Sequence, residues 1–340
     1  MRIFKFMQGI ILIIIFIVLF NGVNFLAFPY GVSYDNTLGF KKLENNSLDY
    51  VFIGSSHVYK GIVPEIINYK YNVNSYNYAT SNNIIEYNEY QIKEILKTQK
   101  PKIIFLELFN LVDYSAFPQL TYDDTALHKA IDVTNVSLEK YKVYKENVIN
   151  ESVVDYLLPI TKYHLEWKSQ RFYEKINKRF MLKNTYRGYQ YTTKKFNPSE
   201  ESFYLEKPVK GVRYLGARQK YLDNIVNICK ENNIELVFLI LPYINFDIFP
   251  RSLMNEYKNG IDEVYSNDIY DLNSIELGLV KSDFYDESHL NAYGAKKVSE
   301  YLGEIIEKNY YTNTVVNEGN TKAYKEYYSK YRQDLLYKPF

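Results

Sequence analysis

The sequence predicts an α/β protein built on a parallel β-sheet with helices on both faces. Three predominantly apolar runs, at residues 49–54, 101–108 and 234–242, are typical of strands buried on both sides of such a sheet. Segments with apolar residues at helical spacing lie between these runs, and this alternation of strands and helices is the pattern of doubly wound folds. A chain of 340 residues that is 46% hydrophobic has ample material for such a core.

The first strand, residues 49–54, is short and apolar and ends in Gly54. In doubly wound sheets ligands bind at the carboxyl ends of the strands. Ser55, Ser56 and His57 directly follow the strand, so we expect them at the functional edge. The remaining elements are expected as a strand at 73–78, a helix at 83–99, a strand at 101–108, a helix at 218–233, a strand at 234–242, a helix at 252–264, a weak strand at 268–272 and a closing helix at 291–308.

The first 30 residues are interpreted as an N-terminal signal anchor, that is, a transmembrane helix. Apolar residues dominate from Gly9 to Phe28, and about 20 residues in a helix span roughly 30 Å, the thickness of a bilayer core. A cleaved signal peptide is the alternative, but no small-x-small cleavage site precedes Pro29. Arg2 and Lys5 before the apolar run are expected to keep the N-terminus in the cytoplasm, which places the rest of the chain outside the cell membrane.

The remainder of the chain divides by its pattern. Residues 31–47 are polar and turn-prone and are expected to form a short stalk, and residues 48–308 carry the α/β pattern. Within them, residues 114–211 lose the alternation and are interpreted as a mostly helical insertion over the functional edge. Residues 309–340 are a polar tail, in which a solvated surface helix is expected.

Composition excludes several functions. The net charge is only +1, from 41 basic and 40 acidic residues, so no overall field attracts nucleic acid. The single cysteine, Cys229, lies on the apolar side of a helical pattern and is expected to pack in the core. The histidines are scattered and no G-x-G-x-x-G loop is present, so neither a metal site nor a cofactor is indicated.

Serine-based acyl transfer needs a base to take the serine proton and a carboxylate to orient that base. Of the four histidines, His289 stands out because Asp286 precedes it by three residues, in a loop that opens the final helix. That spacing lets the two side chains share one turn. It is also compatible with an ordinary helix start, in which Asn291 is the cap. The nucleophile elbow of α/β hydrolases is excluded, because Val58 stands where its second glycine is needed.

The Gly-x-Ser after the first strand and the D-x-x-H before the last helix resemble the SGNH (GDSL-like) hydrolase superfamily. The resemblance extends to "SYNYATSNN" and "IIFLELFNLVD", at the places of the second and third family blocks. It implies a flavodoxin-like three-layer α/β/α sandwich, with Ser56 as nucleophile, His289 as base and Asp286 as its partner. An oxyanion hole is then expected from the backbone N–H groups of Ser56 and Asn82 and the Asn110 amide.

Within that superfamily, the anchor together with "GSSHVYKGI" and "FYDESHLNAYGAKK" is most similar to the membrane-anchored branch that acts outside the cytoplasm. That branch includes proteins of D-alanyl transfer to teichoic acid and of exopolysaccharide O-acetylation. The resemblance implies an acyl group carried on Ser56 and passed to a polymer hydroxyl or to water, beside a membrane-bound O-acyltransferase. His57 and His164 are then candidates for substrate contact.

Two alternatives remain open from the sequence. One is a lipase or esterase that acts on small esters. The other is an inactive accessory protein that binds glycan or serves as a scaffold. Ser55 in place of the usual acid and the absence of the Gly-x-Asn of the third block favour the latter.

Overall fold

The fold is taken from a computed structural model of the chain. The residues that it describes are 2–27, 31–109, 112–113, 124–147, 152–157, 159–165, 168, 187–197, 213–214, 218–244, 251–273, 275–310 and 318–337.

A five-stranded parallel sheet forms the centre of the protein. Its strands are β1 (Tyr50–Gly54), β2 (Ser75–Ala79), β3 (Ile103–Glu107), β6 (Glu235–Ile240) and β7 (Ile269–Asp271), in the order β2-β1-β3-β6-β7. The short strands β4 (Val112–Asp113) and β5 (Arg213–Tyr214) form a separate antiparallel pair. Strand order changes direction between β1 and β3, so their carboxyl ends border the crevice where ligands bind in such sheets.

Helices cover both faces of the sheet. The helices of the described residues are α1 (Arg2–Ala27), α2 (Val32–Phe40), α3 (Ser56–Gly61), α4 (Pro64–Tyr71), α5 (Ile85–Leu96), α6 (Asp124–Ile131), α7 (Leu138–Asn147), α8 (Val153–Leu157), α9 (Pro159–Tyr163), α10 (Gln219–Glu231), α11 (Arg251–Val264), α12 (Ala292–Ile305) and α13 (Glu318–Tyr337). Alternate residues of each strand point to opposite faces, so Val51 and Phe52 belong to different cores. One core includes residues of α5 and α10, and the other includes residues of α3, α4 and α12.

The predicted α/β class with an all-parallel sheet is confirmed. All five predicted strands are present, and they pair through continuous apolar registers such as Phe52 beside Phe105. Cys229 is buried in the core, as expected, and desolvation raises the pKa of its thiol to about 12. Cys229 is therefore a packing residue with an unreactive thiol.

The N-terminal region contains two helices. The first, α1, has 26 residues, and large apolar side chains such as Phe4, Ile13 and Leu19 are exposed on it. None of the helices in the described ranges is both long enough and apolar enough to cross a membrane. Where a stalk was expected, residues 31–47 begin with α2, because Phe40 and Tyr34 bury their rings against the domain.

The C-terminal region also differs from the expectation. Helix α13, expected as a solvated surface helix, docks on α4. Its Tyr324 and Tyr331 are buried, and they lie seven residues apart, which places them on one side of the helix. In the insertion, residues 124–147 and 152–157 are largely helical as predicted, whereas much of 166–186 and all of 198–212 lie outside the described residues.

Candidate active site

The turn that follows β1 presents Ser56 at the carboxyl edge of the sheet. Ser55 is the N-cap of α3, with an extended backbone and a side-chain oxygen that accepts a 3.3 Å hydrogen bond from the His57 N–H. Ser56 is therefore the first residue of the helix. A side chain at position 54 would collide with the neighbouring strand, since a Cβ there would lie 2.6 Å from Cβ of Glu107. Glycine is required at this position to let the two strand ends approach.

The second part of the site is a short closed loop before α12. Phe284 and Leu290 form an antiparallel bridge at its base, and the Tyr285 N–H donates to the His289 carbonyl at 2.7 Å. Asn291 is fully buried, and its amide donates to the Ser282 carbonyl at 2.8 Å while its side-chain oxygen caps α12. The loop is therefore held from both sides, which fixes the direction of His289.

Ser56, His289 and Asp286 meet although the two loops are 233 residues apart in the chain. The Ser56 hydroxyl lies 2.7 Å from Nε2 of His289, and Nδ1 of His289 lies 2.9 Å from each carboxylate oxygen of Asp286. Asp286 Oδ1 also accepts the backbone N–H of His289 at 2.8 Å. A carboxylate accepts only, so the Nδ1 proton of His289 points to Asp286 and the Nε2 lone pair receives the Ser56 hydroxyl.

The electrostatics of the cluster suit a proton acceptor. Burial lowers the pKa of His289, as do the neighbouring His57 and Lys60, while Asp286 raises it, and the net effect is a decrease. Burial raises the pKa of Asp286. The hydrogen bond and charge of His289 and two backbone N–H groups outweigh this effect and lower the pKa to about 2. At neutral pH the site therefore contains an ionised Asp286 and a neutral His289.

Glu107 is a site residue that the sequence analysis missed. It is buried at the end of β3, where its Oε2 accepts the Ser55 N–H at 3.2 Å and the Ser55 hydroxyl at 3.0 Å. Its Oε1 accepts the Phe109 N–H at 2.7 Å. The signal was present in the sequence, because a carboxylate that directly ends a buried apolar strand needs buried donors.

His57, a predicted substrate contact, lies beside the cluster and is buried. Its ring centroid is 5.0 Å from that of His289 and 3.9 Å from that of Phe109. Its Nδ1 is 3.7 Å from Oε1 of Glu107. The two imidazoles therefore stand side by side, each with its own carboxylate.

Tyr59 is the second residue that the sequence analysis missed. It lies one helical turn after Ser56 and is buried. Its hydroxyl is 2.8 Å from Oγ of Ser81, which in turn is 3.2 Å from Oγ of Ser33 on α2. No local pattern in the sequence marks Tyr59, because its hydrogen-bond partner Ser81 follows a different strand.

The remaining predicted residues are placed as follows. Asn82 directly follows Ser81 in a left-handed backbone conformation with φ 55°, and its side chain is exposed. Asn110 lies outside the described residues. His164 is exposed after α9, where its described hydrogen bond, 2.8 Å to the Thr161 carbonyl, is local and does not connect it with Ser56.

A basic and aromatic rim borders the loop that carries the histidine. The Lys60 ammonium lies 3.7 Å from the centre of the Tyr285 ring, and that of Lys194 lies 5.1 Å from it. Cation–π contacts of this kind favour a fixed position for the ring. The rim places positive charge beside Asp286 and His289. Burial lowers the pKa of Lys60 and Asp286 opposes this decrease, while Lys60 in turn lowers the pKa of His289.

Within the described ranges, no three or more His, Cys, Asp or Glu side chains are grouped so as to hold a metal ion. No model of a known protein family matches the chain, and no curated protein is significantly similar to it. Fold and site together define an α/β protein with a parallel sheet and a hydrogen-bonded Ser-His-Asp cluster at the carboxyl edge of its first strand.

Proposed function

We propose that the protein is a serine acyltransferase or esterase in which Ser56 is the nucleophile, His289 the general base and Asp286 the residue that orients the base. The observation that carries this proposal is the continuous hydrogen-bond path from Ser56 through His289 to Asp286. Each atom of the path has the donor or acceptor character that serine-based acyl transfer requires. The resemblance to SGNH hydrolases and the strand order of the sheet, which is that of flavodoxin-like folds, support the same class.

In the proposed reaction, Oγ of Ser56 attacks the carbonyl carbon of an acyl donor while its proton passes to Nε2 of His289. The imidazolium that forms is stabilised by the Asp286 carboxylate. The tetrahedral intermediate then collapses, and the leaving oxygen takes the proton from Nε2. The acyl group on Ser56 is released in the same way by a hydroxyl of the acceptor or by water.

The acceptor in this proposal is a cell-surface polysaccharide or teichoic acid that receives O-acetyl or D-alanyl groups, and the protein acts outside the cytoplasm. Attachment to the cell membrane through α1 is part of the proposal. Its support is the apolar sequence of residues 9–28 and the exposure of large apolar side chains such as Ile13 and Leu19. A membrane-bound O-acyltransferase is the proposed acyl supplier.

The nucleophile is tested with a fluorophosphonate probe on the full-length protein in detergent. We expect labelling of the wild type and loss of labelling in Ser56→Ala. Ser47→Ala, which removes a hydroxyl outside the cluster, is the matched control and should label normally. A folded wild type that does not react would contradict the proposal, as would a Ser56→Ala variant that still reacts.

The acceptor is tested in a deletion strain. We expect less O-acetyl or D-alanyl ester in the cell envelope, restored by the wild-type gene and not by the Ser56→Ala variant. An unchanged ester content with an active enzyme would favour the small-ester esterase. An inactive, probe-unreactive protein would favour the accessory alternative.

A further inference from the structure

His57 is almost completely buried beside the catalytic cluster, yet one nitrogen of its ring is unoccupied. Its side chain is 5% exposed and lies beside Phe109, at a ring-centroid distance of 3.9 Å, and His289, at 5.0 Å. Nδ1 is shut off from solvent and lies 3.7 Å from Oε1 of Glu107. Nε2 has no hydrogen-bond partner in the described part of the chain, but it is not shut off from solvent. Because polar groups of buried side chains are normally paired, this open nitrogen indicates a place for a ligand atom.

The proton of a neutral His57 ring belongs on Nδ1. Oε1 of Glu107 accepts a backbone N–H and is the oxygen nearest to Nδ1, so a lone pair on that nitrogen would be repelled. Nε2 of His57 is then the nitrogen that accepts. His289 has the same arrangement, since its Nδ1 faces Asp286 and its Nε2 accepts from Ser56. Two neighbouring imidazoles thus each have an acceptor nitrogen, and Ser56 occupies the one on His289.

We propose that His57 binds a second hydroxyl of the acceptor, which donates a hydrogen bond to Nε2, so that the enzyme selects polyols and sugars with neighbouring hydroxyls. This inference rests on the proposed function and narrows its acceptor class. During transfer from Ser56, the attacking oxygen bonds to the acyl carbon and its proton passes to Nε2 of His289. As the bond between the acyl carbon and Oγ of Ser56 breaks, that proton returns to Oγ. The second hydroxyl keeps its proton and donates to His57 throughout.

The spacing of the two rings suits such a pair of hydroxyls. A hydrogen bond spans about 2.7 to 3.2 Å, and the ring centroids of His57 and His289 are 5.0 Å apart, so hydroxyls on adjacent carbons reach both rings. A simple alcohol occupies His289 alone and leaves His57 without a partner. A site built to bind a substrate hydroxyl rejects an analogue that lacks it, because its polar group is then left unpaired.

The test measures how the acyl enzyme is divided between water and an added alcohol. Full-length protein in detergent reacts with p-nitrophenyl acetate at about pH 8, where His289 is neutral with or without His57. The alcohols are 1,2-propanediol and 1-propanol, which differ by one hydroxyl, and gas chromatography gives the ratio of acetyl ester to acetate. We expect the wild type to favour the diol by about 3- to 10-fold, the effect of one hydrogen bond.

Two amide variants separate this role from a structural one. His57→Asn is too short to reach the position of Nε2 and should lose the preference for the diol, whereas His57→Gln reaches it with an amide oxygen and should retain the preference. Both should release p-nitrophenol with a kcat/KM near that of the wild type, because that constant reports acylation, before the acceptor binds. His57→Phe, which keeps a flat ring without a nitrogen, should behave as His57→Asn does.

The inference and the proposed function fail in different ways. A wild type that hydrolyses the ester without preferring the diol would overturn the role of His57 and leave the proposed function standing, as would a preference that persists in both His57→Asn and His57→Phe. A wild type that reacts with neither the ester nor the fluorophosphonate would overturn both.

Discussion

Glu107 is a buried carboxylate whose three hydrogen bonds hold the turn that presents Ser56. Two of its donors are backbone N–H groups, one on each side, from Ser55 and Phe109. A carboxylate accepts at both oxygens, whereas an amide accepts at only one. A side chain with two accepting oxygens, and not merely a polar side chain of that size, therefore fits this position.

We expect Glu107→Gln to destabilise the protein by about 2 kcal/mol, because either orientation of the amide places an NH2 donor against a backbone N–H. Urea unfolding followed by circular dichroism measures the change. Glu304→Gln, at an exposed position of α12, is the control and should be neutral. Equal unfolding midpoints for the two variants would show that Glu107 does not hold the turn.

His57 is expected to tune the base of the site. Burial is the largest cause that lowers the pKa of His289, Asp286 opposes this decrease, and His57 and Lys60 add to it. Because His289 must be neutral to accept a proton, a lowered pKa extends activity to lower pH. The groups that face His57 are His289 and Glu107, with Lys60 on the same helix.

Replacing His57 with Gln should therefore raise the acid-side apparent pKa of kcat/KM toward the ordinary value for histidine, with a smaller effect on the plateau rate. The pH profile of ester hydrolysis measures this shift, and wild type should keep its acid limb below the ordinary 6.5. An unshifted acid limb in an active His57→Gln variant would contradict the tuning role.

The residues of the cluster that the sequence predicted each belong to a pattern of neighbouring residues. Ser56 follows a glycine at the end of a strand, and Asp286 and His289 share a turn before a helix. Glu107 and Tyr59 lack such a pattern, since their partners come from other strands and loops. Hydrogen bonds across the sheet edge become visible only when the strands are paired.

At the scale of elements, the strands were predictable because each is a short apolar run, and a parallel sheet buries both faces of its strands. Helix α13 was not recognised as part of the domain, because most of its residues are polar. Its buried face consists of few residues, with Tyr324 and Tyr331 fully in the interior and Tyr328 stacked on Tyr69 of α4. In a sequence with 37 tyrosines, a few tyrosines at helical spacing do not distinguish a buried helix face from the general composition.

The docking of α13 on α4 covers Glu65, a fully buried carboxyl with no hydrogen-bond partner in another described residue. Burial raises its pKa to about 8, although its own backbone and Arg187 lower it in part. The folded state thus prefers protonated Glu65. Its contribution to stability is complete below the unfolded pKa, near 4.5, and is lost as the pH rises through about 8.

We expect the wild type to lose on the order of 3 kcal/mol of stability between pH 4.5 and 7 from this group, and Glu65→Gln to lack that loss. Thermal unfolding at several pH values measures the difference, with Glu304→Gln again as control. If Glu65→Gln and the control show the same pH dependence, Glu65 is ionised or solvated in the folded protein.

At the scale of the whole molecule, a short segment of the chain joins α1, the proposed membrane anchor, to the domain that contains the catalytic cluster. Only a few residues separate the end of α1 from Ser33, whose hydroxyl is 3.2 Å from Oγ of Ser81, and Ser81 in turn is 2.8 Å from the hydroxyl of Tyr59 on α3. An extended residue spans at most about 3.6 Å, so Ser33 lies within roughly 22 Å of the end of α1. In the proposed attachment, the domain that carries Ser56 is therefore joined to α1 without a long tether.

This arrangement predicts that charge within α1 changes where the protein is found. A charged residue at the centre of a bilayer costs about 2.5 to 3.5 kcal/mol on insertion scales, so the double variant Ile13→Lys and Phe16→Lys should move from the membrane fraction to the soluble fraction. The matched control introduces lysine at Val136 and Leu138, which are 64% and 75% exposed, and should remain with the membranes. Alkaline carbonate extraction distinguishes integral from peripheral attachment. Anchoring through α1 would be contradicted if carbonate released the wild type, or if the variant with lysines in α1 stayed in the membrane. Ester hydrolysis by the released variant would show that the catalytic cluster does not depend on membrane attachment.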